Sequence, residues 1–179
     1  MQDSRLHMHY LGDTKAERNL LRAIYGRLKS EKTLSCTYYD GTIRSEDEFL
    51  ADILKPGSLP FLIFWEGRQA GFCWFNTVRG KSAYGHFVFF RDFWGHQTTC
   101  QMGRAIFSRV LTFKDQQGYL FDVLLGLTPR KNALAWRLAL LCGARRIGVI
   151  PHGVFDAANG KSADAMLVAV TRDSLGIEK

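Results

Sequence analysis

The segment that most constrains the fold runs over residues 84–118: an aromatic apolar run, YGHFVFF, then a polar loop, RDFWGHQTT, holding one glycine, then CQMGRAIFSRVLTFKDQQG. In the last part Met102, Ile106, Val110 and Phe113 recur at helical spacing, so the whole reads as strand, loop and amphipathic helix. Thr98 and Gln101 have capping-box spacing, which places the expected helix start at Thr98 and Thr99. A strand that feeds a helix through such a loop leaves the first helical amides unpaired at the positive end of the helix dipole, where phosphate groups bind. Gly103 is a poor helix former near the first turn, which fits either a close approach or tight packing.

At 179 residues the chain fits one domain, 1–179, large enough to bury a core without disulfides or metal. Cys36, Cys73, Cys100 and Cys142 form no C-x-x-C pair and the histidines do not cluster, so reduced thiols and no metal site are expected. No apolar run approaches the roughly 18 residues that span a bilayer, and the first residues lack a signal peptide's apolar segment. The expectation is a cytoplasmic protein without a membrane partner. The net charge of +7 suits anionic partners, but the basic residues are scattered, so nucleic acid is not the expected one.

Residues 6–11 read as a short strand. Thr14 with Glu17 and Ser45 with Glu48 form capping boxes that open two helices, the second stopped by Pro56 and Gly57. Residues 36–39 between them read as extended or irregular. From Pro60 the pattern changes to three strands joined by short turns, PFLIFWE, QAGFCWFNTV and SAYGHFVFF, an antiparallel meander. After the central helix, YLFDVLLGL is apolar at nearly every position and fits a strand parallel to the one before the helix, in a right-handed crossover. Asn132 opens a further helix that Gly143 ends; residues 145–150 make a strand, 151–163 a long loop and 165–171 the last strand.

That order, together with the segment TPRKNALAWRLALLCGARRIGVIP, resembles the GNAT superfamily of acyl-CoA-dependent acetyltransferases, in particular the branch that acetylates ribosomal-protein N-termini (RimJ/RimL-like). Asn132, Ala135 and Gly143 stand at that branch's asparagine, small residue and helix-ending glycine. The resemblance implies an α+β fold with a mixed, mostly antiparallel sheet of six to seven strands, about four helices, and splayed fourth and fifth strands. It implies acetyl-CoA as acyl donor, a primary amine as acceptor, either a small molecule or a protein N-terminus, and room for a homodimer. Two departures stand out. The family's Arg/Gln-x-x-Gly-x-Gly/Ala loop is reduced to Gly95, with Gln97 at the second glycine, and Ala139 replaces a tyrosine that serves as general acid.

By the same resemblance, the main chain of Val88, Phe89 and Phe90 would pair with the pantetheine and acetyl groups. The amides of Trp94, Gly95, His96, Gln97, Thr98 and Thr99 would face the pyrophosphate, with Asn132 on the pantetheine arm and Trp136 alongside it. An alkyl amine is protonated at neutral pH, so a base is needed, and His86 on the fourth strand is the first candidate. Asp122, a lone acid in an apolar strand, is the second. An acyl-cysteine on Cys142 is disfavoured by its place at the helix C-terminus, so direct transfer is expected. His152, Asp156 and Lys161 in the 151–163 loop are expected near the acceptor, with the N-terminal helices. The runner-up reading, motivated by the two departures, is a GNAT-fold protein that binds acyl-CoA or another ligand without turnover.

Overall fold

The computed structural model describes residues 3–177. In chain order the elements are β1 (Leu6–Tyr10), α1 (Lys15–Ser30), α2 (Leu34–Thr37), α3 (Glu46–Ile53), β2 (Leu59–Trp65), β3 (Arg68–Arg79) and β4 (Ser82–Phe89). They continue with α4 (His96–Leu111), β5 (Lys114–Asp115), β6 (Gly118–Tyr119), β7 (Val123–Pro129), α5 (Ala133–Leu141), β8 (Arg145–Asp156), β9 (Lys161–Thr171) and α6 (Arg172–Leu175). A 3-10 turn, Arg91–Phe93, links β4 to α4.

Seven strands form one sheet in the order β1-β2-β3-β4-β7-β9-β8, antiparallel at every seam except the parallel β4–β7 pair. The expected α+β class, strand count and mixed sheet are all present. Of the six α-helices among the described residues, α2 and α6 are single turns, which leaves four of full length. The paired two-residue strands β5 and β6 precede β7, where the apolar run suggests one unbroken strand.

Successive strand residues alternate between two cores, because helices cover both faces of the sheet. On one face Phe72, Trp74, Val88 and Phe90 pack with Leu21, Leu28, Phe49 and Ile53 of α1 and α3. On the other, Phe75, Ala83, Phe89, Leu124 and Val168 pack with Met102, Ile106 and Val110 of α4 and with Ala139 of α5. The α1 and α3 capping boxes form as the sequence predicts, Thr14 accepting from the Glu17 amide and Ser45 from the Glu48 amide.

Three expectations are corrected. Residues 34–37 turn once as α2 instead of running extended, since the amides of Cys36 and Thr37 both reach the Thr33 carbonyl. Helix α4 begins two residues before Thr98: Gly95 is its N-cap, so Thr98 and Gln101 form no capping box. The stretch 151–163 is no long loop, because β8 continues through a bulge between Ile150 and Val154 and pairs with β9 up to Asp156 and Lys161. His152, at φ 54°, takes the left-handed conformation at that bulge.

Gly103 has a packing role. It is buried where α4 crosses the end of α5, and a Cβ there would lie 2.3 Å from Cys142 Sγ. Gly143, at φ 106°, ends α5 as expected.

Candidate active site

Strands β4 and β7 are paired only through Ser82, Ala83 and Tyr84 against Val123, Leu124 and Leu125. Beyond that point the two strands diverge, each still held on its outer side, β4 by β3 through Phe89 and β7 by β9 through Pro129. The splay expected of the fourth and fifth strands is therefore present. A cavity of about 90 Å³ occupies the gap.

The cavity crosses the sheet. On the α1–α3 face it is lined by Cys36, Thr37, Tyr39, Trp74 and His86; on the α4–α5 face Phe107, Asn132, Ala135 and Ala139 contribute. Cys36, Thr37 and Tyr39 are not among the residues the sequence points to, because nothing in an irregular-looking stretch tells which strand it covers. Tyr39 closes this wall by donating from its hydroxyl to the Leu127 carbonyl at 3.3 Å, and burial raises its pKa. Glycines in apolar strands are the available signal for Gly85 and Gly126, which both line the gap.

His86 stands at the gap, stacked on Trp74 with ring centroids 4.6 Å apart and planes 9° from parallel. Its Nε2 lies 3.2 Å from Asn76 Oδ1, which accepts only, so Nε2 carries the proton and Nδ1 keeps a free lone pair. Burial pushes the imidazole pKa down to about 4, against the weaker opposing pull of Asp52, so the ring is neutral at pH 7. Trp74 is 2% exposed and its Nε1 has no hydrogen-bond partner among the described residues, an unspent donor in a residue that lines the cavity.

Asp122 does not share this place. It lies just before β7 at the closed end of the seam, exposed and paired with Arg172. The apolar run around it implies burial, but the strand begins only at Val123. Asp156 is likewise turned away: it is buried, held by Lys131 and by Asn159 at 2.6 Å, and these bonds lower its pKa. Cys142 is buried with its thiol pushed up to about 12, first by desolvation, which makes it a poor nucleophile.

Register decides which main-chain groups face the gap. The Phe90 amide donates to Ala70 on β3, so Val88 and Phe90 spend their main chain on β3 while Phe87 and Phe89 point theirs toward β7. Of the expected trio only Phe89 presents its backbone, and Phe87 joins it. The Phe89 carbonyl is already taken, by the Trp94 indole Nε1 at 2.8 Å, and Arg91 lies over the same indole.

At the start of α4, three of the six expected amides are occupied: Trp94 donates to the Arg91 carbonyl, Gly95 to Thr99 Oγ1, and Thr99 to the Gly95 carbonyl. The amides of His96, Gln97 and Thr98 have no partner among the described residues and form a compact donor set suited to an anion. Asn132 caps α5, its Oδ1 accepting from the Ala135 amide, and its Nδ2 has no partner among the described residues. Trp136 is half-buried against the α4–α5 core with its Nε1 donating to the Arg130 carbonyl, and it does not line the cavity. Among the described residues there is no group of three or more metal-ligating side chains, and no helix is long and apolar enough to cross a membrane.

No protein-family model matches the chain. No curated protein matches it either. Solved structures do, over nearly the whole length. A RimL ribosomal alpha-N-protein acetyltransferase in complex with coenzyme A superposes with a TM-score of 0.70 at 16% identity, covering 97% of this chain and 98% of that one. A spermidine N-acetyltransferase from Vibrio cholerae, in complex with CoA and spermine, gives 0.71 at 13% identity, covering 97% and 99%. The microcin self-immunity acetyltransferase MccE, in complex with acetyl-CoA and AMP, gives 0.69 at 15%, covering 94% and 93%. The chain has the fold these acetyltransferases share.

Proposed function

We propose that this chain is an N-acetyltransferase that moves an acetyl group from acetyl-CoA to a primary amine by direct attack. The observation that carries the reading is the parting of β4 and β7 beyond Tyr84 and Leu125, with a cavity passing through the sheet at the gap. Such an opening lets a donor enter from one face and an acceptor from the other, so that they meet at a single point. The free amides of His96, Gln97 and Thr98 suit the donor's pyrophosphate, and Phe87, Phe89 and Asn132 suit its amide-bearing arm.

In the reaction the amine nitrogen attacks the thioester carbonyl, a C–N bond forms, the C–S bond breaks, and the amine loses a proton while the thiolate gains one. In this reading His86, which lines the cavity, accepts the proton of the amine at Nδ1. Taking a proton from an ammonium of pKa near 10 onto a base near 4 is uphill by roughly 8 kcal/mol, too steep for a first step. His86 therefore holds the free-base amine and accepts its proton once attack has made the nitrogen acidic. Ala139 offers no hydroxyl to the departing thiolate, and solvent or the acceptor supplies that proton.

A second reading is a GNAT-fold protein that binds acyl-CoA or another ligand without turnover. It is favoured by the Trp94 indole on the Phe89 carbonyl and by Ala139. One pair of measurements separates the two. Saturating acetyl-CoA should raise the melting temperature, because a ligand of the native state stabilises it by mass action, and an amine panel should release free thiol. A shift without thiol release supports the second reading; no shift removes both as acyl-CoA readings.

A further inference from the structure

Away from the parted strands, one face of α4 lines a second cavity, about 360 Å³ in volume. Gln101, Arg104, Ala105, Ser108, Arg109 and Thr112 alternate three and one residues apart, the spacing of neighbours on one helix face. The start of β1 bounds the cavity with Arg5 and Leu6, and the chain after α6 bounds it with Ile177. Leu6, Ala105 and Ile177 are partly buried against the α4 core and give the cavity an apolar patch.

Its charges do not balance among the described residues. Asp3 is the carboxylate of this lining, and it is spent on Arg5, which donates to it from its main-chain amide, its Nε and its Nη2. Arg5 is fixed further by Gln101 Oε1 at 3.1 Å and by the Trp65 ring, 4.5 Å from its guanidinium carbon. Arg104 donates to the uncharged Leu175 carbonyl at 2.7 Å, and neither it nor Arg109 is paired with a carboxylate among the described residues. Two guanidinium groups less than two turns apart on α4 thus border one cavity without a counter-charge.

We infer that this cavity binds an organic phosphate monoester, its phosphate between Arg104 and Arg109 and its organic part against Leu6, Ala105 and Ile177. Forked guanidinium N–H groups match phosphate oxygens, and the Ser108 hydroxyl adds a further donor. A dianion there offsets the repulsion between the two cations. The volume falls within the roughly 300–1,000 Å³ of small-molecule sites. The site is separate from the acyl-CoA reading, because Arg109 lies roughly 20 Å along the α4 axis from the free amide of His96.

Calorimetric titration of the intact protein with phenyl phosphate, inorganic phosphate and phenol tests the site. Phenyl phosphate should bind about tenfold more tightly than inorganic phosphate, the gain from burying part of its ring, and phenol should not bind. Arg109→Gln should weaken phenyl phosphate by about tenfold or more, the loss of one charge-assisted contact. Ser108→Glu, which sets a carboxylate between the arginines, should abolish it, and this second variant guards against failure of the first to fold. Acetyl-CoA affinity should be the same in both variants as in the parent. The inference is overturned if neither phosphate binds at millimolar concentration, if inorganic phosphate or phenol binds as tightly as phenyl phosphate, or if phenyl phosphate binding survives unchanged in both folded variants. It is also overturned if acetyl-CoA binding falls together with that of phenyl phosphate, since Arg109 would then belong to the donor site. Acetyl-CoA binding by the parent protein leaves the acyltransferase reading standing in every one of these cases.

Discussion

Below Tyr84 and Leu125 the β4–β7 seam is hydrogen-bonded and clamped from outside; above it the same two strands part around a cavity. The clamp is Arg172, whose guanidinium donates to the Phe121 carbonyl at 2.6 Å, to the Leu111 carbonyl at 3.0 Å, and to the Asp122 carboxylate. One side chain thus ties the end of α4 to the start of β7. Among the described residues the open end has single side-chain bonds in place of that triple one, Tyr39 to the Leu127 carbonyl and Trp94 to the Phe89 carbonyl, and the remaining main-chain groups at Phe87 and Phe89 are left for a ligand. Unpaired strand edges inside a protein are costly unless something satisfies them. A sheet can therefore keep a slot open at one end by over-securing the other, and residues at the two ends should fail in different ways.

The largest effect is expected at the open end. His86→Gln should lower turnover by about 10²–10⁴-fold, the range typical of a lost acid–base group, while the melting temperature at pH 7 moves by a few degrees at most. Unchanged turnover would place the base elsewhere and leave the two ends differing in stability alone.

Next is pH. Burial depresses the His86 pKa from its ordinary 6.5 to about 4, with Asp52, Asp40 and Lys55 as the charged groups around it. The unfolded chain takes up a proton that the folded chain refuses, so this contribution is fully present above pH 6.5 and is lost as pH falls toward 4. The expected loss is roughly 3 kcal/mol, and denaturant titrations across that window should show a shallower fall in His86→Gln. At the closed end, Arg172→Ala removes the donor for two carbonyls and should cost about 2 kcal/mol by urea titration. A loss of that size with acetyl-CoA affinity retained would confirm that the clamp serves the strand and not the slot. Smallest, Trp94→Phe deletes the indole N–H that covers the Phe89 carbonyl. It should cost about 1 kcal/mol of stability or less and strengthen acetyl-CoA binding severalfold, read by calorimetry.

Features that depend on neighbours along the chain are legible in the amino-acid sequence. The Thr14–Glu17 and Ser45–Glu48 caps, the strand meander and the Asn132–Gly143 helix all follow from spacing alone. Features that depend on a partner strand are not. Whether Phe89 or Phe90 faces the gap is settled by which of them bonds to Ala70. The long β8–β9 hairpin is masked by Pro151, His152 and Gly153, residues that signal a loop but here form a bulge within continuing pairing. The α4 start is hidden because a glycine cap in extended conformation leaves no side-chain signature, while the two threonines beyond it do. His86 is legible as a residue type, but its stacking on Trp74 requires the register of β3 against β4.

The bond from Lys131 to Asp156 has a practical corollary. Lys131 immediately precedes Asn132, so the tip of the β8–β9 hairpin fastens the beginning of α5 and with it one wall of the slot. An affinity tag or reporter spliced into residues 157–160 would loosen that fastening and blunt Asn132. The same graft at Gly80, between β3 and β4 near the secured end, would leave the slot's geometry alone.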